Sequence, residues 1–248
     1  MMKGRNLLRV FAVVIVSCTM LLFSAVSSRA QGNSYLELDY ARVNLENTEG
    51  YEAYFKGIKA VAETGVYNAI QAGVSYIYGT GGTIKMAGYL YGNSTYQDAE
   101  LYGKIPINFT DIARSISSGQ ASSPEPSPFY IKLLYKMNSL KTDDVAGNIP
   151  WESASGGGIG GGFQGIGYKK LRFYGSINWF PQMNLQSAMT PLRAANESFY
   201  KGLNYGIGLQ AGVWKDLSVN FYYGWESHEY KATVLHFSTL ALGAGLKF

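Results

Sequence analysis

The feature that most constrains this chain is the alternation over its last eleven residues, STLALGAGLKF from Ser238 to Phe248. A strand sends successive side chains to opposite faces. Ser238, Leu240, Leu242, Ala244, Leu246 and Phe248 therefore share one face, and Thr239, Ala241, Gly243, Gly245 and Lys247 share the other. One face is oily and the other small or polar, so the two sides of this strand meet different solvents.

The same period of two recurs along the chain and predicts ten strands, with eight or twelve as alternatives. They cover residues 34–45, 66–78, 83–91, 101–109, 129–137, 157–169, 171–179, 203–213, 217–226 and 238–248. Phe129, Ile131, Leu133, Tyr135 and Met137 oppose Lys132 and Lys136 in the most regular of them. In the first, Leu36, Leu38 and Tyr40 oppose Glu37 and Asp39, but Val43 and Leu45 then change parity, which predicts a bulge. The segment Tyr51–Glu63 reads as a short helix or an irregular loop. Short turns at Thr80–Gly82, Lys169–Lys170 and Lys215–Asp216 are expected at one end of the strands. Longer loops near 46–65, 92–100, 139–156, 184–200 and 227–235 are expected at the other. The Pro/Ser-rich stretch 113–127 is long for the short-turn end.

The N-terminus carries Lys3, Arg5 and Arg9, then a mostly apolar run from Val10 to Val26, then Ser28-Arg29-Ala30. This is the pattern of a cleaved export signal over 1–30, leaving 31–248 as the mature barrel domain. Residues 1–30 hold four of the 21 basic residues and none of the 17 acidic ones, so the remainder is formally neutral. Its basic isoelectric point therefore gives no reason to expect nucleic acid. The sole cysteine, Cys18, lies in the signal, so no disulfide or cysteine metal site is expected in the mature chain. Charged residues make up 15% of the chain, well under the roughly 25% usual for a soluble domain. With 20 Tyr and 30 Gly and no long apolar run after the signal, this composition fits strands of which only alternate residues touch lipid.

The closing strand, with its terminal Phe248 and apolar Leu240, Leu242 and Leu246, resembles that of Gram-negative outer-membrane β-barrels. The resemblance covers the signal and essentially all of the mature chain, at the level of the class. It implies an all-β, transmembrane, antiparallel up-and-down barrel in the bacterial outer membrane. It also implies that those four residues are read by the barrel-assembly machinery. Outer-membrane lipid and lipopolysaccharide are the expected surroundings.

The faces opposite the apolar ones carry Glu37, Asp39, Lys85, Lys104, Lys132, Lys136, Arg172, Glu226 and Lys247. These residues line either a narrow solute path or a filled lumen in which charges pair. Cations outnumber acids among them, so a pore would favour anions, less so if Asp98, Glu100, Asp143 and Asp144 fold inward from loops. The aromatic belts are expected at Tyr76, Tyr78, Phe129, Phe173 and Trp214 on the inner side, and at Tyr91, Trp179, Phe180, Tyr223 and Trp225 on the outer side. The run GGGIGGGFQG at 156–165 contains a formal GxGxxG, but no helix pattern follows, so small residues beside large neighbours account for it. His228, between Glu226 and Glu229 in the last outer loop, resembles the rim histidine of omptin-type proteases, with Asp143 and Asp144 as the acids opposite; a solvated loop histidine is the plainer reading. His236-Phe237-Ser238 resembles the His-x-Ser segment of lipid A deacylases, although Thr239 replaces the Asn of that pattern.

The leading expectation is a small porin-like channel for small solutes, without catalysis, metal or cofactor. A structural or surface-interaction protein with a filled lumen is the alternative, and an outer-membrane hydrolase the third.

Overall fold

The computed structural model describes residues 34–47, 52–67, 70–81, 84–86, 89–107, 127–143, 151–168, 170–187, 200–230 and 233–248. Residues 1–33, where the export signal is expected, Asp144 and most of the 113–127 stretch lie outside them. The described residues form eleven strands: β1 (Tyr35–Asn47), β2 (Glu52–Tyr67), β3 (Ile70–Thr80), β4 (Ile84–Met86), β5 (Tyr89–Pro106), β6 (Phe129–Asp143), β7 (Trp151–Tyr168), β8 (Leu171–Ser187), β9 (Tyr200–Gly212), β10 (Leu217–Tyr230) and β11 (Thr233–Lys247). Every neighbour is antiparallel, and β1 pairs with both β2 and β11, which closes the sheet on itself. The short β4 takes up the line of β3, bonding to the same two neighbours, so eleven strands make a wall of ten staves. Closure leaves no stave with an unpaired edge, as a strand in hydrocarbon requires.

The ten-stave count agrees with the sequence reading, but by two errors that cancel. Tyr51–Glu63 is neither helix nor loop; it belongs to β2, paired along its length with β1. The expected strands at 83–91 and 101–109 and the loop between them are instead β4 and the single long strand β5. Missing β2 reversed the direction read for β3. Thr80 and Gly81 therefore lie at the far end of the barrel, away from the chain's Phe248, and Tyr76 and Tyr78 belong to the far half; Gly82 lies outside the described residues. Lys170 and Lys215–Asp216 do lie at the end shared with Tyr35 and Phe248, and Lys169 lies outside the described residues. Pro106 and Phe129, which flank the 113–127 stretch, are also at that end.

Outside, the wall carries a belt of exposed Leu38, Tyr40, Leu101, Leu133, Ile177, Ile207, Phe221 and Leu242. Further toward the far end the polarity inverts. On β1, Arg42 and Glu46 point outward and are exposed, while Val43 and Leu45 point inward and are buried. The pairing of β1 is unbroken on both sides, so no bulge causes the change. The strand leaves one solvent for another while its register continues. Real irregularities sit elsewhere, notably in β7 at Gly165, whose φ of 76° lets the chain take the left-handed conformation a bulge asks for.

The glycines of β7 alternate in meaning. Gly156, Gly158, Gly160 and Gly162 face inward, where a Cβ at Gly158 would meet the Phe180 ring at 2.7 Å and a Cβ at Gly162 would meet the Tyr130 hydroxyl at 2.5 Å. Gly157 faces outward, and its nearest neighbour is a backbone oxygen 4.0 Å away. The large side chains of β6 and β8 thus occupy the space β7 leaves. Gly158→Val is expected to destabilise the barrel by about 1–3 kcal/mol through overpacking, and Gly157→Val by less than about 0.5 kcal/mol. The temperature at which the folded band disappears in a heat-modifiability gel ranks the two.

Candidate functional site

Among the described residues, the sequence-derived site residues converge in the interior. Glu37 and Asp39 (β1), Lys104 (β5), Lys132 and Lys136 (β6) and Glu226 (β10) all face inward and are buried. Arg172 and Lys247 have inward parity but lie near the end that holds the termini and are exposed. Lys85 lies in β4 opposite Glu52 and Leu90, and its side chain is outside the described residues. Asp98 and Glu100 do turn inward, from the middle of β5 rather than from a loop. The side chain of Asp143, like Asp144, is outside the described set.

Lys59 and Glu63 join this interior and were missed, because β2 did not look like a strand. Counting them, the described interior holds Lys59, Lys104, Lys132 and Lys136 against Glu37, Asp39, Glu63, Asp98, Glu100 and Glu226. Acids outnumber lysines, which reverses the expected excess of cations.

Each lysine has a carboxylate partner. Lys59 binds Glu37 and, at 3.1 Å, Asp39. Lys104 binds Glu63, which also accepts the Tyr102 hydroxyl at 2.6 Å. Lys132 binds Glu100. Lys136 donates to Asp98 at 2.9 Å and to Glu226, so it ties β5 to β10 across the lumen. Aromatic faces complete the ammonium shells: Lys132 lies 4.3 Å from the Tyr102 ring centre and Lys59 lies 4.5 Å from that of Tyr222. Toward the terminal end, Asn220 donates to the Tyr35 hydroxyl at 2.7 Å and to Glu37 at 3.2 Å, and Gln164 donates to Gln71 at 3.1 Å.

Above the charges sits an apolar plug. Val43, Leu45, Ala53, Phe55, Ile77, Tyr96 and Phe237 form it; Tyr102, Leu134, Ala154, Phe180 and Met183 form a second buried cluster beside the lysines. Phe180 is therefore buried inside the bore and not part of an outer aromatic belt. Among the described residues, one polar cavity of about 70 Å³ lies among the charges, bordered by Lys59, Asp98, Glu100, Lys136, Asn178 and Glu226. That is room for a few waters and too little for a solute.

The two histidines occupy different solvents. His228 is not in a solvated loop: it is on β10, 3% exposed, with Nε2 bonded to Glu226 and its ring tilted against Phe237 at 5.4 Å. Its carboxylate partner is the one that Lys136 also holds. His236 and Ser238 share the outward face of β11, as the spacing implied, yet no hydrogen bond joins them. The His236 ring stacks on Trp225 at 5.3 Å, and Trp225 stacks on Tyr205 at 5.0 Å.

No protein-family model matches the chain. No curated protein matches it either. Among solved structures it is similar to Neisserial surface protein A at 12% identity, covering 87% of this chain and 97% of that one, with a TM-score of 0.42. It is similar to Ail, the attachment invasion locus protein of Yersinia pestis, at 14% identity over 88% and 99% of the two chains, with a TM-score of 0.36. The outer membrane protease OmpT from Escherichia coli shows 10% identity over 88% and 96%, with a TM-score of 0.47. None of these likenesses carries an activity to this chain.

Removing one member of a buried ion cluster strands the others. Lys136→Met is expected to cost about 3–5 kcal/mol, because Asp98 and Glu226 then stay buried without their cation. Adding Asp98→Asn and Glu226→Gln to that variant should recover most of the loss. Urea unfolding in detergent micelles, followed by tryptophan fluorescence, measures both.

Proposed function

We propose that this chain is a bacterial outer-membrane barrel with a filled lumen, acting as a non-catalytic structural or surface-interaction protein and not as an open channel. One observation carries the reading: Lys136 bridges Asp98 on β5 and Glu226 on β10 across the bore, beneath a buried apolar plug. A porin-like path needs continuous water, and a lumen of this size is readily filled by its own side chains. The charges inside serve each other. The apolar belt outside supports insertion in a bilayer, and the signal pattern at 1–30 with the Phe248 terminus supports export to the outer membrane.

The non-catalytic part of the proposal rests on His228. Its ring is 3% exposed, tilted against Phe237 and bonded to Glu226, so it is turned away from the surface and engaged inside the bore. Contacts with other molecules then fall to the outward surface and to the far end, where the staves rise past the apolar belt and carry polar residues outward.

Reconstituted into planar bilayers, the protein is expected to produce no discrete conductance steps over many insertions. Regular steps of one size, absent from mock preparations, would overturn the filled-lumen reading and restore the porin-like one.

A further inference from the structure

The upper boundary of the apolar belt can be located on each stave as the first outward residue that is polar. On β3, β5, β6, β10 and β11 that residue is uncharged: Thr80, Gln97, Ser139, Ser227 and Ser238. On β9 it is Lys201, whose cross-strand partner is Glu229. The seam is different. There β1 presents Arg42, β2 presents Lys56, and the two stand directly opposite each other.

Like charges facing across an antiparallel pair repel. No carboxylate of a described residue relieves this one. Neither side chain forms an ion pair with any described residue, and the flanking partners in the same row are Leu240 and Thr80. Among the described residues, the nearest acids along these two strands on this face, Glu46 and Glu52, lie four residues further on, roughly 13 Å away. Arg42 is nonetheless held in place: its Nε donates to Asn44 Oδ1 at 3.3 Å, and its Cζ lies 5.3 Å from the Tyr54 ring centre. Both cations are exposed. The guanidinium is thus braced from one side, with its two terminal nitrogens donating to no described residue. Immediately below lie Tyr40 and Ile58, the last outward apolar residues of the two staves.

A pair of unneutralised cations, one a planar fork and one a point charge, set at the height where hydrocarbon ends, matches a phosphate. We infer that the outward face of β1 and β2 binds the phosphate of an outer-leaflet glycolipid between Arg42 and Lys56, with its acyl chains lying on Leu38, Tyr40 and Ile58. This rests on the proposed reading in so far as the far end must face the outer leaflet. The phosphate removes the repulsion between the two cations, and the lipid gains from both its charge and its chains.

The test uses the full mature protein in neutral detergent, titrated with bis-phosphorylated lipid A, with the same glycolipid after phosphate removal, and with inorganic phosphate. Bound adducts are counted by native mass spectrometry. Lipid A is expected to bind the wild-type protein, and Arg42→Gln/Lys56→Gln is expected to weaken it roughly tenfold to thirtyfold. Lys201→Gln should leave binding unchanged, because that lysine stands opposite the acid Glu229 across the β9–β10 pair and not opposite a second cation. Equal binding by the double variant, or by the dephosphorylated glycolipid, would overturn the site. Occupancy by inorganic phosphate with none by lipid A would overturn the lipid as its source. Heat-modifiable migration shows that each variant is folded. Lys141→Cys, labelled from outside intact cells with an impermeant maleimide, reports which way the far end points. A labelled far end with no lipid preference refutes this site and leaves the filled-lumen reading standing; an unlabelled one refutes the orientation itself.

Discussion

Everything in this structure depends on the closing of β1 against both β2 and β11. An open sheet in hydrocarbon would leave a row of amides and carbonyls without partners, each costing several kcal/mol. Closure removes that row. It also cuts the interior off from the membrane, and so allows residues such as Lys136 and Glu226 to sit at a depth where lipid surrounds the wall. The seam is long, running from Tyr35 opposite Lys247 to Asn47 opposite Leu235, with no break in register. The small inward residues of β11, Ala241, Gly243 and Gly245, keep clear of Asp39, Tyr35 and Asn220, which need the space at this seam.

The interior then follows from volume and charge. Burying a lone ammonium is prohibitive, whereas an ammonium between two carboxylates and an aromatic face is tolerated. Lys136 meets both conditions with Asp98, Glu226 and Phe180. Such clusters fix geometry more than they add stability, since a well-packed apolar core would do as well energetically. Here they specify which staves lie opposite. Lys136 joins β6 to β5 and β10, and Lys104 joins β5 to β2 and, through Gln164 at 3.3 Å, to β7. The inward glycines of β7 belong to the same design, because Asn178, Phe180 and Tyr130 reach the bore only where β7 offers no side chain.

The sequence made the alternation of β6, β8, β9, β10 and β11 legible, because each of those strands keeps one solvent on each side over most of its length. Leu203, Tyr205 and Ile207 face out and Asn204 faces in, as the period of two predicts. It did not make β2 legible. Along Glu52–Glu63 the outward residues run from Glu52 and Lys56 to Ile58 and Ala60, and the inward ones from Ala53 and Phe55 to Lys59 and Glu63. Both faces change polarity near Gly57, and the summed pattern loses its period. The same crossing made β1 look bulged at Val43. Six of the nine proposed interior charges were found because they sit below the crossing. Lys59 and Glu63 also sit below it, but within the strand that was missed. The acidic excess of the interior went unseen for that reason, together with the assignment of Asp98 and Glu100 to a loop.

That crossing is more than a nuisance to prediction. Below it the barrel is built as lipid demands, with Leu38 and Tyr40 outside and Glu37 and Asp39 inside. Above it the same staves are built as water demands, with Arg42 and Glu46 outside and Val43 and Leu45 inside. The upper part is a small water-facing barrel with its own core of Phe55, Tyr96 and Phe237, in which Phe55 and Tyr96 lie 5.7 Å apart and Tyr96 and Phe237 5.3 Å apart. Its hydrophobic stabilisation is available only where water surrounds the wall, and the belt's only where lipid does. Sliding the barrel along the membrane normal would put Arg42 and Lys56 into hydrocarbon or Tyr40 and Ile58 into water. The two halves therefore hold the molecule at one depth. The plug that closes the bore is the same apolar core that lets the staves stand above the bilayer, so a filled lumen and a projecting rim are one structural solution.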